Sequence, residues 1–170
     1  MTIVFTLDHT FRAASPSALL AAYFDPEHLA MLDAATGVGA RTVRESIDDG
    51  INRVCTWQLT TLQALPWFVR RLVTGGRLTY LETVRWRRSD PALALSNVCE
   101  LLGGQVRIEA VYQLAPAGER LIHQRFAGAA SSDIKLVGER VARATVDQLA
   151  RAMPTMTECT QRWLDRRRAE

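Results

Sequence analysis

The sequence predicts an α+β protein: a curved antiparallel sheet of about seven strands wrapped around one long C-terminal helix. Three observations predict it. An alternating strand opens the chain, two helix-start signals follow ten residues apart, and a helical apolar stripe closes it. Between these, from about residue 38 to residue 128, alternating segments are separated by short turns, which implies antiparallel neighbours.

Residues 3 to 12 alternate, with Ile3, Phe5, Leu7, His9 and Phe11 on one side and Val4, Thr6, Asp8, Thr10 and Arg12 on the other. That is the period of a half-buried strand. Ser15-Pro16 then supplies an N-cap followed by a proline at the first helical position, where its missing N–H costs nothing. Leu19, Leu20, Tyr23 and Phe24 give this short helix its apolar stripe. Asp25-Pro26-Glu27 repeats the signal, with a carboxylate where the helix end is positive. Leu29 and Leu32 pack this second helix, Asp33 is expected to face away from Met31 and end the apolar run, and Gly37 and Gly39 stop it.

Strands are expected next at 38–47, 51–60, 77–88, 93–102, 105–114 and 120–128, punctuated by Asp48-Asp49-Gly50, Asp90-Pro91, Gly103-Gly104 and Pro116-Ala117-Gly118. Residues 61–76 interrupt this rhythm with an apolar insert containing Leu65, Trp67, Phe68, Leu72 and Val73. Such an insert must pack on something or bind something. From about residue 134 to 168 the period becomes helical: Val137, Val141, Thr145, Leu149, Met153, Met156, Thr160, Trp163 and Leu164 share one stripe. Pro154 lies within it and is expected to kink or interrupt the helix, because it removes a backbone donor and crowds the preceding turn.

Composition bounds the function. The 170 residues are 48% apolar and 23% charged, which fits one globular domain over 1–170 and argues against disorder. No apolar run is long enough to cross a bilayer, and the N-terminus lacks the basic start and apolar core of a signal peptide. Cys55, Cys99 and Cys159 are odd in number and widely spaced, which suits a reduced, cytoplasmic setting better than a disulfide or zinc framework. Net charge is +3, a weak pointer to nucleic acid, and none is expected as a partner. In the run Arg85-Trp86-Arg87-Arg88 strand alternation sets Trp86 opposite Arg85 and Arg87, so an exposed basic edge over a buried indole accounts for it. Arg166-Arg167-Arg168 sit where a helix C-terminus favours positive charge.

One strand, two short helices, six strands and one long helix is a specific order. The concave apolar face of such a sheet needs cover, and the last helix is the one element with enough apolar length to supply it. A strongly curved sheet gripping a helix leaves space, and apolar space with a few polar groups is the usual form of a ligand pocket. On this order, the alternating strand ending at Phe11 and the stretch AASPSALLAAYFDPEHLA, the chain resembles the helix-grip superfamily. That superfamily includes START lipid-transfer domains, polyketide cyclases and aromatases, and the birch-pollen-allergen type. The closing stretch DIKLVGERVARATVDQLARAMPTMTECTQRWL is similar to the end of an uncharacterised bacterial branch, where a Val-Gly step leads into a helix ending in Trp-Leu. The resemblance spans essentially the whole chain and implies a START-like domain holding a hydrophobic small molecule between sheet and helix, with no cofactor. Asp25-Pro26-Glu27-His28-Leu29 departs from the Tyr-Pro-x-Phe-like step of relatives tied to quinone biosynthesis, so that role is not transferred.

The inward strand face is the place to look for a site. It carries Phe11, Trp57, Tyr80, Trp86 and Tyr112, and with them the polar residues His9, Arg53, Glu82 and Asn97. A buried charge must be paired or neutralised. Arg53 and Glu82 lie on consecutive strands and are expected to pair, as a recognition spot or as a structural ion pair. His9 and His123 are both expected to reach the interior, as acid–base groups or as satisfied core histidines. Met153 and Met156 flank Pro154 on the helical stripe, and flexible thioethers suit a pocket wall as well as a core. No spacing of His or Cys suggests a metal site, and no nucleophile, phosphate-loop or dinucleotide motif is present. Binding of a lipid, polyketide or aromatic metabolite is the first functional expectation. A cyclase- or aromatase-like enzyme using His9, Glu82 or His123 is the second. An interaction module built on the 61–76 insert and the basic strand edge, docking a protein or RNA, is the third.

Overall fold

The computed structural model describes residues 1–61, 77–101 and 104–169. Strand β1 spans Thr2–Arg12, with Phe5 and Phe11 buried on its inner side and Val4 exposed on the other. Helix α1 spans Pro16–Ala22, and Ser15 Oγ accepts from the Ala18 N–H at 3.1 Å. Helix α2 spans Pro26–Thr36. One Asp25 carboxylate oxygen accepts from the N–H groups of Glu27 and His28 at 2.9 and 3.1 Å, which satisfies two donors that have no partner within the helix. Gly37 ends α2 with φ 75°, the left-handed conformation that glycine adopts without a Cβ clash.

Six strands follow: β2 (Val38–Asp48), β3 (Asn52–Thr61), β4 (Thr79–Arg87), β5 (Ala92–Leu101), β6 (Gly104–Gly118) and β7 (Leu121–Ser132). They pair antiparallel in the order β1-β7-β6-β5-β4-β3-β2. The two edges are therefore β1 and β2, and α1 and α2 carry the chain from one edge to the other. Between β6 and β7 the backbones leave no room for a side chain at Gly128, where a Cβ would collide with the Glu109 carbonyl oxygen. Helix α3, Gly138–Ala169, lies across the concave face. The α+β class and the clasped helix are as the sequence predicts.

Three local expectations are corrected. The last strand does not stop at residue 128; it runs to Ser132 because Ser131 and Ser132 still find partners on β1 and β6. Its small residues, Gly128 to Ser132, carry no alternating apolar signal. The closing helix begins at Gly138 and not near 134, after Leu136 takes φ 69°. Pro154 does not interrupt α3, which is helical from Gly138 through Ala169. Pro154 and Ala150 both lie on the exposed side, so the carbonyl that the proline leaves without a donor is open to water. The expectation for the insert falls on residues 62–76, outside the described residues.

The main core joins Phe5 and Phe11 of β1, Leu19 and Leu20 of α1, Trp57 and Leu59 of β3, Trp86 of β4, Phe126 of β7 and Met153, Trp163 and Leu164 of α3. Tyr23, Tyr112 and Phe126 stack in sequence, with ring centroids 4.9 and 4.2 Å apart. Helix α3 packs closely on β1, β7 and α2. Its backbone stands off from β3, β4 and β5, and that stand-off creates the cavity described next.

Candidate ligand-binding site

A cavity of about 320 Å³ opens between the inner faces of β3–β6, the end of α2 and the first half of α3. That is the size of a small-molecule pocket. Its wall is mostly aliphatic: Leu59, Leu93, Leu95 and Ile108 from the sheet, Leu29 and Leu32 from α2, Val141 and Leu149 from α3. Alternation puts these side chains on one face of each strand, and the helical period puts Val141, Thr145, Gln148, Leu149, Ala152 and Met156 on one side of α3.

Set into this wall is one compact charged group. Arg41 of β2 donates from Nε and Nη2 to the two oxygens of Asp33 at 2.8 and 2.7 Å, a two-pronged pair. Its Nη1 donates to Glu82 Oε1 of β4 at 2.9 Å. All three side chains are largely buried, with exposures of 13% for Arg41 and 16% for each carboxylate. The guanidinium also lies over the Trp57 ring, 5.1 Å from its centroid. Burial alone would lower the pKa of Arg41, but the bonds to Asp33 and Glu82 outweigh it and raise the pKa, so the guanidinium stays charged. Asp33, Arg41 and Glu82 are the charged residues among the described lining.

Around them are uncharged polar groups. Asn97 pairs with Glu82 in the β4–β5 register, lines the cavity, and has a buried Oδ1 without a hydrogen-bond partner among the described residues. Burial pushes the Tyr80 phenol well above its ordinary pKa, with Glu82 adding to the effect, and burial does the same for Tyr112. Burial raises Tyr23 to about 12, although its hydroxyl accepts from Gln124 Nε2 at 3.0 Å. These phenols are neutral donors at physiological pH. The Cys99 thiol lines the cavity too and is raised by burial, so it is a poor nucleophile.

Of the residues expected from the sequence, Tyr80, Glu82, Asn97, Tyr112 and Met156 meet in this wall. Phe11 and Met153 do not reach it. They flank, with Tyr112 and Met156, a gap of about 10 Å³ deeper in the core. Trp57 and Trp86 are buried beside the cavity and not in its lining; Trp57 lies under Arg41, while Trp86 stacks on Phe24 and donates to the Asp90 carbonyl at 3.2 Å.

The expected pairing of Arg53 with Glu82 is corrected. Arg53 sits opposite Trp86, with its guanidinium over Phe24 and 3.7 Å from Asp48. Glu82 sits opposite Trp57, four residues further along β3. At about 3.3 Å per residue that is roughly 13 Å, beyond reach. His123 is corrected as well. Ile122, Gln124 and Phe126 are the buried residues of this stretch of β7, so His123 points outward, where Nε2 lies 2.9 Å from Asp8 Oδ1. His9 does point inward, with Nε2 buried and without a hydrogen-bond partner among the described residues, but it lies outside the cavity lining. Burial lowers its pKa, opposed by Asp8 and aided by His123.

Sequence reasoning missed Arg41, and it read Asp33 only as ending the apolar run of α2. Asp33 turns into the cavity, and Gly37 reverses the chain and brings Arg41 back against the last turn of α2. An aspartate in the last turn of a helix is unfavourable beside its negative end. That misfit, followed by an arginine just past a glycine stop, was the available signal.

Among the described residues no three His, Cys, Asp or Glu side chains group so as to hold a metal ion, and no helix is long and apolar enough to cross a membrane.

A clasped helix over a seven-stranded antiparallel sheet with an internal cavity is a helix-grip fold, and solved structures share it. The Zhui aromatase/cyclase from Streptomyces sp. R1128 matches with a TM-score of 0.70 at 10% identity, over 98% of this chain and 96% of that one. A START superfamily protein from Mycobacterium smegmatis matches with a TM-score of 0.55 at 12% identity, over 91% and 97%. The allergen Ara h 8.0201 matches with a TM-score of 0.61 at 9% identity, over 96% and 98%. The chain belongs to the family described as protein of unknown function DUF2505, whose model matches residues 6–164. No curated protein matches it.

Proposed function

We propose that this protein binds a hydrophobic small molecule, a lipid, polyketide or aromatic metabolite, in the cavity between sheet and C-terminal helix. The observation that carries the reading is the cavity itself: about 320 Å³, walled mainly by aliphatic side chains, with its charged groups gathered around Arg41. An apolar hollow in a core otherwise packed by large side chains is costly to leave empty. The superfamily fold adds support, since it sets a helix over a concave apolar face.

Binding is favoured over cyclase-like catalysis because the expected acid–base set does not assemble. His9 and His123 are outside the lining, and Glu82 is tied to Arg41. The basic run 85–88 adds nothing for a nucleic-acid module: Trp86 is buried, and Arg88 donates to Asp48 at 2.6 Å. The cytoplasm suits the three free thiols Cys55, Cys99 and Cys159.

Native mass spectrometry and solvent extraction of the purified protein are expected to recover a retained apolar molecule, and the stripped protein is expected to bind Nile red. Protein that yields no such molecule and leaves Nile red fluorescence unchanged overturns the reading.

A further inference from the structure

We infer that the cavity selects its ligand by the charge of the head group: it takes a hydrogen-bond-donating head, an alcohol or an amine, and rejects a carboxylate. This rests on the hydrophobic-ligand reading above and sharpens it. Two carboxylates, Asp33 and Glu82, face one guanidinium, Arg41, and no other charged residue is in the described lining. Among the described residues the wall therefore carries one uncompensated formal negative charge, on side chains largely shielded from water.

Arg41 does not offer itself to an anionic ligand. Three of its N–H groups are spent on Asp33 and Glu82. Its face rests on Trp57, which fixes the plane of the fork. A ligand carboxylate brought alongside would meet two carboxylates already sharing that cation, with little solvent to screen them. A hydroxyl or ammonium meets the opposite situation. Among the described residues one Glu82 oxygen, Oε1, is engaged by Arg41, so the carboxylate keeps capacity to accept from a ligand donor. Asn97, paired with Glu82 across the sheet, adds an amide whose Oδ1 has no hydrogen bond among the described residues. Tyr80 lies one alternation step before Glu82 on the same face of β4, so the polar spot sits on one inward row with the aliphatic wall around it. The chemistry is that of an amphiphile whose apolar body fills the hollow and whose polar end donates.

The test uses three ten-carbon probes that differ in the head alone: decanol, decylamine and decanoate. Each displaces Nile red, a neutral reporter, from stripped protein at neutral pH below its micellar concentration. Decanol and decylamine are expected to displace it at least tenfold more tightly than decanoate. Glu82→Gln keeps an oxygen for Arg41 and removes the surplus charge, so decanoate should gain at least tenfold and the gap should close. Asp33→Asn makes the same change of charge from α2 and is expected to act in the same direction; it also serves if Glu82→Gln does not fold by circular dichroism. Decanoate binding the unaltered protein as tightly as decanol overturns the inference while leaving hydrophobic binding intact. So does a gap that persists in both variants. Failure of Nile red and of all three probes to bind overturns the hydrophobic-ligand reading, and this inference with it.

Discussion

Arg41 and Asp33 meet across the turn at Gly37 in a two-pronged ion pair, with bonds of 2.8 and 2.7 Å, and so tie the end of α2 to the edge strand β2. The pair does more than bridge two elements. Arg41 also holds Glu82, so one guanidinium keeps two largely buried carboxylates in place. Removing one partner of a buried ion pair is far more costly than the pair's net contribution, because the charge left behind stays desolvated. Arg41→Met keeps the length of the side chain and removes its charge. It is expected to cost about 3 kcal/mol, measured as a lower urea midpoint with unchanged slope. A loss under about 1 kcal/mol would mean that the three groups are well solvated.

The fold was far more legible in the sequence than this cluster. Caps are local: Ser15-Pro16 and Asp25-Pro26 carry their meaning within four residues, and both helices start there. Strand faces were legible wherever apolar residues alternate, as in β1 and β3. In β2 they were not. Its residues are mostly exposed, and it has register irregularities between Val38 and Ala40 and between Val43 and Glu45, so alternation does not say where Arg41 points. The Arg53–Glu82 expectation failed for a related reason. A tight turn fixes a hairpin's register, but β3 and β4 are joined by a long insert that fixes none. Composition alone could not choose between Trp86 and Glu82 as the residue opposite Arg53. Ion pairs of this kind depend on register and side-chain reach, and both are settled by the whole sheet.

His28 makes a second long-range tie, between α2 and α3. It is fully buried; Nδ1 lies 2.8 Å from the Ala22 carbonyl oxygen and Nε2 lies 2.9 Å from Thr160 Oγ1. Nδ1–H donates to the carbonyl and Nε2 accepts from the threonine, so the neutral ring is satisfied on both sides. Burial pushes its pKa from 6.5 down to about 4, opposed by the Ala22 carbonyl and the Asp25 charge and aided by Arg41. The folded pKa is thus depressed below the unfolded one. As pH falls below 6.5 the unfolded chain takes up a proton that the folded chain refuses until about pH 4. Stability present at neutral pH should be lost across that window, by an amount on the order of 3 kcal/mol. His9, also lowered by burial, acts in the same direction. His28→Gln retains a donor and an acceptor but cannot titrate, so urea midpoints measured between pH 7 and pH 4 should slope less steeply in the variant. Equal slopes in the two proteins would remove His28 from the account.

The stand-off between α3 and the central strands can be filled from the helix side. Ala144 lines the cavity one turn after Val141 and does not belong to the charged cluster. A phenylalanine there projects a ring into the hollow from a rigid element, with no backbone change and no polar group lost. Filling unoccupied apolar space adds contacts in the folded state, and strain arises only where space is already taken. Ala144→Phe is therefore expected to keep or raise the thermal midpoint and to weaken Nile red binding at least tenfold. Stability and binding moving in opposite directions would separate occupation of the cavity from general disruption of the core. Unchanged Nile red affinity in a folded Ala144→Phe protein would place the dye outside this cavity, and a sharp drop in midpoint would show that the space beside Ala144 is already filled.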